Sequence, residues 1–152
     1  MFDNVIRGNQ STNNGVLGQG AGVLMATGAP GGAVYSNDVT GNTITGNGLA
    51  GVTLHAHSPG ENLNGNLVQG NRIGTNNIDG DPDFGGNVPP AVDPLTTGVV
   101  VATAVSPIAI TIVGNLIENN HYGIWVTPGV TATTGSPANA FVGVSTPIFT
   151  AP

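Results

Sequence analysis

The sequence predicts an all-β solenoid, in which short strands from successive repeats stack on one another. One observation is a hexapeptide that begins and ends with Asn and has Ile or Val at its centre. A second is a Gly followed by three apolar or β-favouring residues, which returns after each hexapeptide. The third is composition, since 25 Gly, 11 Pro and 18 Asn among 152 residues provide turn chemistry along the whole chain. Repeats that cannot each bury an apolar face must stack.

Each repeat is predicted to hold three short strands. The hexapeptide contains the first, and its four copies run over Asn4–Asn9, Asn42–Asn47, Asn66–Asn71 and Asn115–Asn120. The Gly-led strand follows at Gly22–Met25, Gly51–Leu54, Gly98–Val101 and Gly123–Val126. A weaker strand precedes the next Asn. No stretch has the three-to-four-residue apolar period of a helix.

The spacing of the hexapeptides predicts about four coils with two inserted loops. Their first Asn residues lie at 4, 42, 66 and 115, so the steps are 38, 24 and 49 residues. A common coil of about 24 residues with insertions accounts for all three. We place the loops at about 10–19 and 75–97 and interpret 145–152 as a short tail. The chain 1–152 is then a single β-helix domain, which also fits a fragment of a longer solenoid.

Stacking the repeats generates columns of like residues about 4.8 Å apart. Three predicted columns are aliphatic or Met: Ile6, Ile44, Val68 and Ile117; Val23, Val52, Val99 and Ile124; and Met25, Leu54, Val101 and Val126. Two predicted Asn columns form a structural ladder at the bends: Asn42, Asn66 and Asn115, and Asn47, Asn71 and Asn120. Side-chain amides in such columns can hydrogen-bond to one another and to the backbone of the turns.

Charge and apolar content exclude several classes of function. The net charge is −6, and the two basic residues are Arg7 and Arg72, too few for a nucleic-acid surface. The longest apolar stretches fall well short of the roughly 20 residues that span a membrane as a helix, so we expect no membrane insertion. The chain has no Cys, which leaves the redox compartment open. No cationic start with an apolar run precedes the first repeat, so no signal peptide is expected in this sequence.

The paired motifs Asn-x-Ile/Val-x-Gly-Asn and Gly-Ile/Val-x-Val resemble the repeat of the pectin-lyase-like superfamily, from about Phe2 to Val144. The resemblance implies a right-handed parallel β-helix and an extracellular or cell-surface location. The superfamily includes polysaccharide lyases, hydrolases and epimerases as well as surface proteins without known activity, so it leaves function open. Its enzymes carry carboxylates and basic residues on the strand face. Here the outward positions include Thr53, Val100 and Trp125 and no carboxylate, so we name no catalytic residue and expect a non-enzyme.

Two clusters are candidates for binding. His55 and His57 lie two residues apart on one strand face, with Trp125 about two coils, or roughly 10 Å, away. They could form a sugar-binding or weak metal-binding surface, or be solvent-facing polar side chains; two His are half of a usual transition-metal site. Asp79, Asp81 and Asp83 could bind calcium in a projecting loop, or simply solubilise it. We expect no other cofactor.

The ends of the solenoid direct the functional hypothesis. No capping helix precedes Asn4, and uncapped ends expose strand edges together with apolar columns. We therefore expect a non-catalytic extracellular structural or self-assembling module that associates end to end with itself. The alternative is a carbohydrate-binding or polysaccharide-cleaving module of the pectin-lyase-like type. Ice binding would need a regular Thr array, which the predicted face lacks.

Overall fold

A computed structural model describes residues 1–15, 20–80 and 94–152, and every regular element in these ranges is a β-strand. The strands are β1 (Val5–Arg7), β2 (Gln10–Thr12), β3 (Val23–Thr27), β4 (Asp38–Thr40), β5 (Thr43–Thr45), β6 (Val52–Ala56), β7 (Asn66–Gln69), β8 (Arg72–Ile73), β9 (Thr97–Thr103), β10 (Ile108–Val113), β11 (Leu116–Glu118), β12 (Tyr122–Val126), β13 (Val130–Thr133), β14 (Ala140–Val142) and β15 (Thr146–Thr150). No helix in the described ranges is long and apolar enough to cross a membrane.

The strands form a parallel β-helix with three sides. The first sheet has the order β1-β4-β7-β10-β13, the second β2-β5-β8-β11-β14, and the third β3-β6-β9-β12-β15. Every pairing is parallel, and each coil contributes one strand to each sheet. The predicted solenoid is confirmed, with five coils where the sequence predicted about four. The fifth coil lacks the hexapeptide and ends in β15, which lies in the segment interpreted as a tail.

A tight turn ending in Asn joins the first sheet to the second. In coils one to four, a Gly with positive φ precedes an Asn at this corner: Gly8, Gly41, Gly70 and Gly114. The left-handed region is costly for residues with a Cβ, which explains the Gly of the repeated hexapeptide. At Gly70, φ is +63° and a Cβ would meet no atom within 4 Å, so backbone conformation alone requires Gly there.

The inward-facing columns form one continuous core. The two columns of the third sheet are confirmed, because the pairing joins Val23 to Val52, Val99 and Ile124, and Met25 to Leu54, Val101 and Val126. The remaining column was wrong, because it merged two sheets. In the first sheet Ile6 aligns with Val39, Val68 and Ile112, and in the second sheet Ser11 aligns with Ile44, Ile73, Ile117 and Phe141.

The coils differ in length, and the differences lie at the corners between the strands. Equivalent Asn residues of successive coils are separated by 33, 29, 44 and 24 residues, so the predicted 24-residue coil describes only the last step. The predicted first loop, 10–19, begins within β2, and its residues 16–19 lie outside the described ranges. The predicted second loop, 75–97, includes Asn76, which is part of the coil, and ends in β9, while its residues 81–93 lie outside the described ranges.

The outward face of the third sheet is buried. A second apolar cluster lies on this side of the strands, formed by Ala50, Val100, Ala102, Tyr122, Trp125 and Ala151 with Phe149 packed against it. Thr53 and Thr127 lie on the same face and are also buried. The interpretation of this side as an exposed strand face was therefore wrong at Thr53, Val100 and Trp125, which are all buried. Its apolar residues favour coverage, and Leu24 of the first coil remains exposed there.

Candidate functional site

Three Asn ladders run along the corners of the β-helix. The first comprises Asn4, Asn37 and Asn66; the second Asn9, Asn42, Asn71, Asn115 and Asn139; and the third Asn14, Asn47, Asn76 and Asn120. All six Asn residues predicted from sequence lie on these ladders. Two of them were assigned to the wrong column: Asn66 belongs to the first ladder, and Asn71 aligns with Asn42 and Asn115 in the second. In coils one to four, both corners that flank the second sheet end in Asn, which is why the sequence columns were mixed.

Each ladder has a direction along the axis of the β-helix. The backbone N–H and Nδ2 of Asn42 donate to Oδ1 of Asn71 in the next coil at 2.9 and 3.0 Å. Asn71 repeats this toward Asn115, with both distances 3.0 Å. Its Nδ2 also donates back to the carbonyl of Val39 at 2.9 Å. Each Oδ1 therefore accepts from the preceding coil, and the amides satisfy corner groups that would otherwise be buried without partners.

His55 and His57 come together as predicted, but Trp125 does not form an accessible surface with them. The two imidazole rings contact each other edge to face, with centroids 4.1 Å apart. Trp125 lies two strands away, on β12, and packs against Phe149 with ring centroids 6.0 Å apart. Trp125 is 3% exposed and His55 is 8% exposed, whereas His57 is exposed. A ligand face built on all three would need the covered Trp125 ring, and the geometry gives no support to it.

Burial makes His55 a poor base. Desolvation, followed by the neighbouring His57, lowers the pKa of His55 from 6.5 to about 4, although Glu61 acts in the opposite direction. The imidazole is consequently neutral at pH 7. Its environment is that of a structural side chain in the outer layer of the third sheet.

Glu61, which the sequence did not single out, is the charged neighbour of His55 and His57. Its carboxylate is 5% exposed and accepts hydrogen bonds from Thr27 Oγ1 at 2.9 Å, from the His57 N–H at 2.6 Å and from the Ser58 N–H at 3.0 Å. Burial raises its pKa, but these hydrogen bonds outweigh burial and leave the pKa below 4.5. Both oxygens are used, so Glu61 closes the turn after β6 and links it to β3. Its only sequence signal was a lone acid after Ser58-Pro-Gly.

The acidic candidate for calcium lies largely beyond the described ranges. Asp79 is half-buried, while Asp81 and Asp83 fall outside the described residues. Among the described residues, no group of three or more His, Cys, Asp or Glu side chains could hold a metal ion. Calcium binding by this loop stays a prediction.

The two end coils form the remaining candidate site. Within the described residues, β1, β2 and β3 form one unpaired rim and β13, β14 and β15 the other. A cleft of about 340 Å³ opens on the first coil between Ile6, Ser11 and Val23, which supply one inward residue from each sheet. On the last coil, the inward-facing Ile148 is 47% exposed, whereas the members of the same column within the body, Val52, Val99 and Ile124, are fully buried.

Charges are scarce on both rims. The six rim strands contain a single charged residue, Arg7. Edge strands are usually protected by charges, Pro or a covering segment, and Pro147 in β15 is the one Pro in these strands. The rims thus combine open backbone groups with apolar side chains.

These features define the class of the molecule as a parallel β-helix with internal Asn ladders. Comparison with protein-family models, with curated proteins and with solved structures gave no match. The resemblance to the pectin-lyase-like superfamily therefore stays a prediction, and a functional hypothesis has to come from the molecule's own surfaces.

Proposed function

We propose that the chain is a non-catalytic structural module that associates end to end with further copies of itself. The observation that carries this proposal is the open core at the last coil, where Ile148 is 47% exposed while its column neighbours are fully buried. Covering an apolar side chain at the end of an otherwise closed column with another coil removes it from water and lowers the free energy. A second copy of the same solenoid supplies such a coil.

The backbone at the rims supports the same partner. Parallel strands expose N–H and C=O groups along an unpaired edge, and such an edge is a template for another strand. The rim of β1, β2 and β3 and the rim of β13, β14 and β15 are opposite edges of the same three sheets. A head-to-tail contact would extend all three sheets at once.

This geometry favours an open assembly. The two surfaces of a head-to-tail contact differ, so such a contact closes into a ring only if the rotation between copies allows it. Stacking along the axis of the β-helix leaves a free rim at each end, so filaments are the expected product. An extracellular or cell-surface location and membership of the pectin-lyase-like superfamily are further predictions from sequence.

The test measures size against concentration for the wild-type chain and two variants. Ile148→Glu places a charge in the contact, and we expect it to weaken self-association about tenfold or more. Ile78→Glu is the matched control, because Ile78 is 45% exposed but lies in the third of the five coils. We expect it to change association less than about twofold, since surface substitutions outside a contact have small effects.

Sedimentation equilibrium would give the association constants, and electron microscopy would show whether filaments form. A wild-type chain that stays monomeric at high concentration would refute the proposed function. Equal effects of the two Glu substitutions would show that association uses the sides of the β-helix and not its ends.

A further inference from the structure

We infer that the head-to-tail contact has one register, in which Asn139 of one copy donates to Asn9 of the next and so continues the second Asn ladder. This inference rests on the proposed end-to-end association and specifies its geometry. Among the described residues, the second ladder alone has an Asn in all five coils, from Asn9 in the first to Asn139 in the last.

The ends of the second ladder have complementary chemistry. Asn139 Oδ1 accepts from the backbone N–H and Nδ2 of Asn115 at 3.0 and 2.9 Å. Its Nδ2 donates to the carbonyls of Ile112 at 2.8 Å and Thr134 at 3.3 Å, and no described residue accepts from its backbone N–H. Asn115 Nδ2 likewise donates to the carbonyls of Val68 and Val113 while it also donates to Asn139, so Asn139 keeps the donors that a further coil would use. At the other end, Asn9 donates to Oδ1 of Asn42, and no described residue donates to Asn9 Oδ1. An acceptor at one rim thus matches a donor at the other, as between successive coils within the chain.

The other two ladders end without such a match. The first ladder stops at Asn66, and its place in the last coil is taken by Ala132. The third stops at Asn120, and its place in the last coil is taken by Val144, since β11 aligns with β14 in the preceding residues. Asn4 and Asn14 therefore present side-chain oxygens at the rim for which the last coil has no side-chain amide at the matching position.

Side-chain size favours the same register. The inward column of the second sheet begins with Ser11, continues with Ile44, Ile73 and Ile117, and ends with Phe141. Continuing this column across the contact places its largest side chain over its smallest, beside the cleft of about 340 Å³. Strand lengths agree as well, because β3 and β15 both contain five residues.

Rotating one copy by a third of a turn would place Asn139 against the equivalent acceptor of Asn4 or Asn14, but it would lose the match in side-chain size and strand length. The five-residue strand β15 would then lie over β1 or β2, which have three residues each. β15 also contains Pro147, which has no N–H to donate, so the edges of β13 and β14 carry more of the backbone pairing. The corner between these two strands is where Asn139 lies.

Three alanine variants separate the possible registers. Asn9→Ala removes the acceptor of the inferred bond. We expect the association constant to fall by about fivefold to tenfold, which corresponds to the net free energy of one hydrogen bond. Asn4→Ala and Asn14→Ala are matched controls, because each Asn donates to the second coil's ladder and lies at the same exposed rim. We expect each control to stay within about twofold of the wild type. Thermal melting of dilute protein would verify that all three variants are folded.

A double-mutant cycle tests the pair directly. Asn139→Asp keeps the oxygen that accepts from Asn115 but removes the Nδ2 donor, including its bonds to the carbonyls of Ile112 and Thr134, so thermal melting of dilute protein must first show that this variant is folded. If Asn9 and Asn139 bond across the contact, each single variant weakens association, and the double variant is scarcely weaker than either alone. Additive effects would overturn the inferred pair.

The outcomes distinguish this inference from the proposed function. Association of the wild type with greater sensitivity at Asn4 or Asn14 than at Asn9 would leave end-to-end assembly standing and refute the register. A monomeric wild type would refute both.

Discussion

Replacing Asn71 with Ala should remove a large part of the folding free energy of this chain. Asn71 is buried in the middle of the second ladder, and four hydrogen bonds use its side chain. Its Oδ1 accepts from the N–H and Nδ2 of Asn42, and its Nδ2 donates to Val39 and Asn115. Alanine removes all four bonds and leaves the buried Asn42 N–H without its acceptor.

The expected cost follows from adding these losses. An orphaned buried N–H costs about 1–3 kcal/mol, and each of the other three bonds contributes a net 0.5–1.5 kcal/mol, approximately. The sum is about 5 kcal/mol, against a typical total stability of about 5–15 kcal/mol. In a chain of this size 1 kcal/mol corresponds to a change of roughly 2–4 °C in the melting temperature, so Tm should fall by roughly 10–20 °C.

Asn14→Ala provides the matched control. Asn14 lies at the exposed first member of the third ladder, where its Nδ2 donates to Asn47 and Ser11 and no described residue donates to its Oδ1. We expect its loss to cost about 1 kcal/mol or less, because water can replace the missing partners. Urea denaturation followed by circular dichroism would compare the two variants. A similar loss of stability in both, or a loss below about 1 kcal/mol for Asn71→Ala, would refute the view that buried ladder positions stabilise the fold.

Two further predictions concern the corner turn and the buried imidazole. Gly70→Ala should destabilise the fold by about 1–2 kcal/mol because φ of Gly70 is +63°. Gly70→Asn should cost less, since Asn119 adopts a φ of +54° at the position before the third ladder. Equal urea midpoints for the two variants would contradict this prediction. The pKa of His55 is about 4 in the folded chain and 6.5 ordinarily, so the unfolded state takes up this proton first and stability should fall by about 2–3 kcal/mol as pH drops from 6.5 toward 4.5. The pKa of Glu61 lies below 4.5, so the stability that this carboxylate contributes is lost only at lower pH. His55→Gln should therefore flatten the plot of unfolding free energy against pH between pH 6.5 and 4.5. An unchanged slope in that variant would assign the pH dependence to other groups.

The sequence predicted the fold because the repeated pattern reports local chemistry that does not depend on tertiary context. Gly before Asn fixes a left-handed turn, and an aliphatic residue two positions after Asn faces the core. The assignment of each Asn to a corner was harder to predict. The hexapeptides that begin at Asn4 and Asn42 have the same pattern but occupy different corners. A clearer signal was present in the sets 4, 9, 14; 37, 42, 47; and 66, 71, 76, where Asn recurs every five residues. Aligning these triplets would have separated the ladders.

The candidate site was less predictable because burial on the outer side of a strand depends on what covers it. Strand alternation places Thr53, Val100 and Trp125 outward, but it does not say whether that side meets water. Two apolar residues at outward positions, Val100 and Trp125, were the available hint of a second layer. The role of Glu61 depended on a turn whose backbone donors can be recognised only in three dimensions.

The unequal coils separate the length of the polypeptide from the length of the β-helix. A step of 44 residues and a step of 24 residues each add one layer of about 4.8 Å, because each step leads from one ladder position to the next. The number of ladder positions sets the axial dimension, and the number of residues between them does not. Shortening the longest coil between its strands would therefore leave the distance between the two rims unchanged, whereas deleting a whole coil would shorten the axis by one strand spacing.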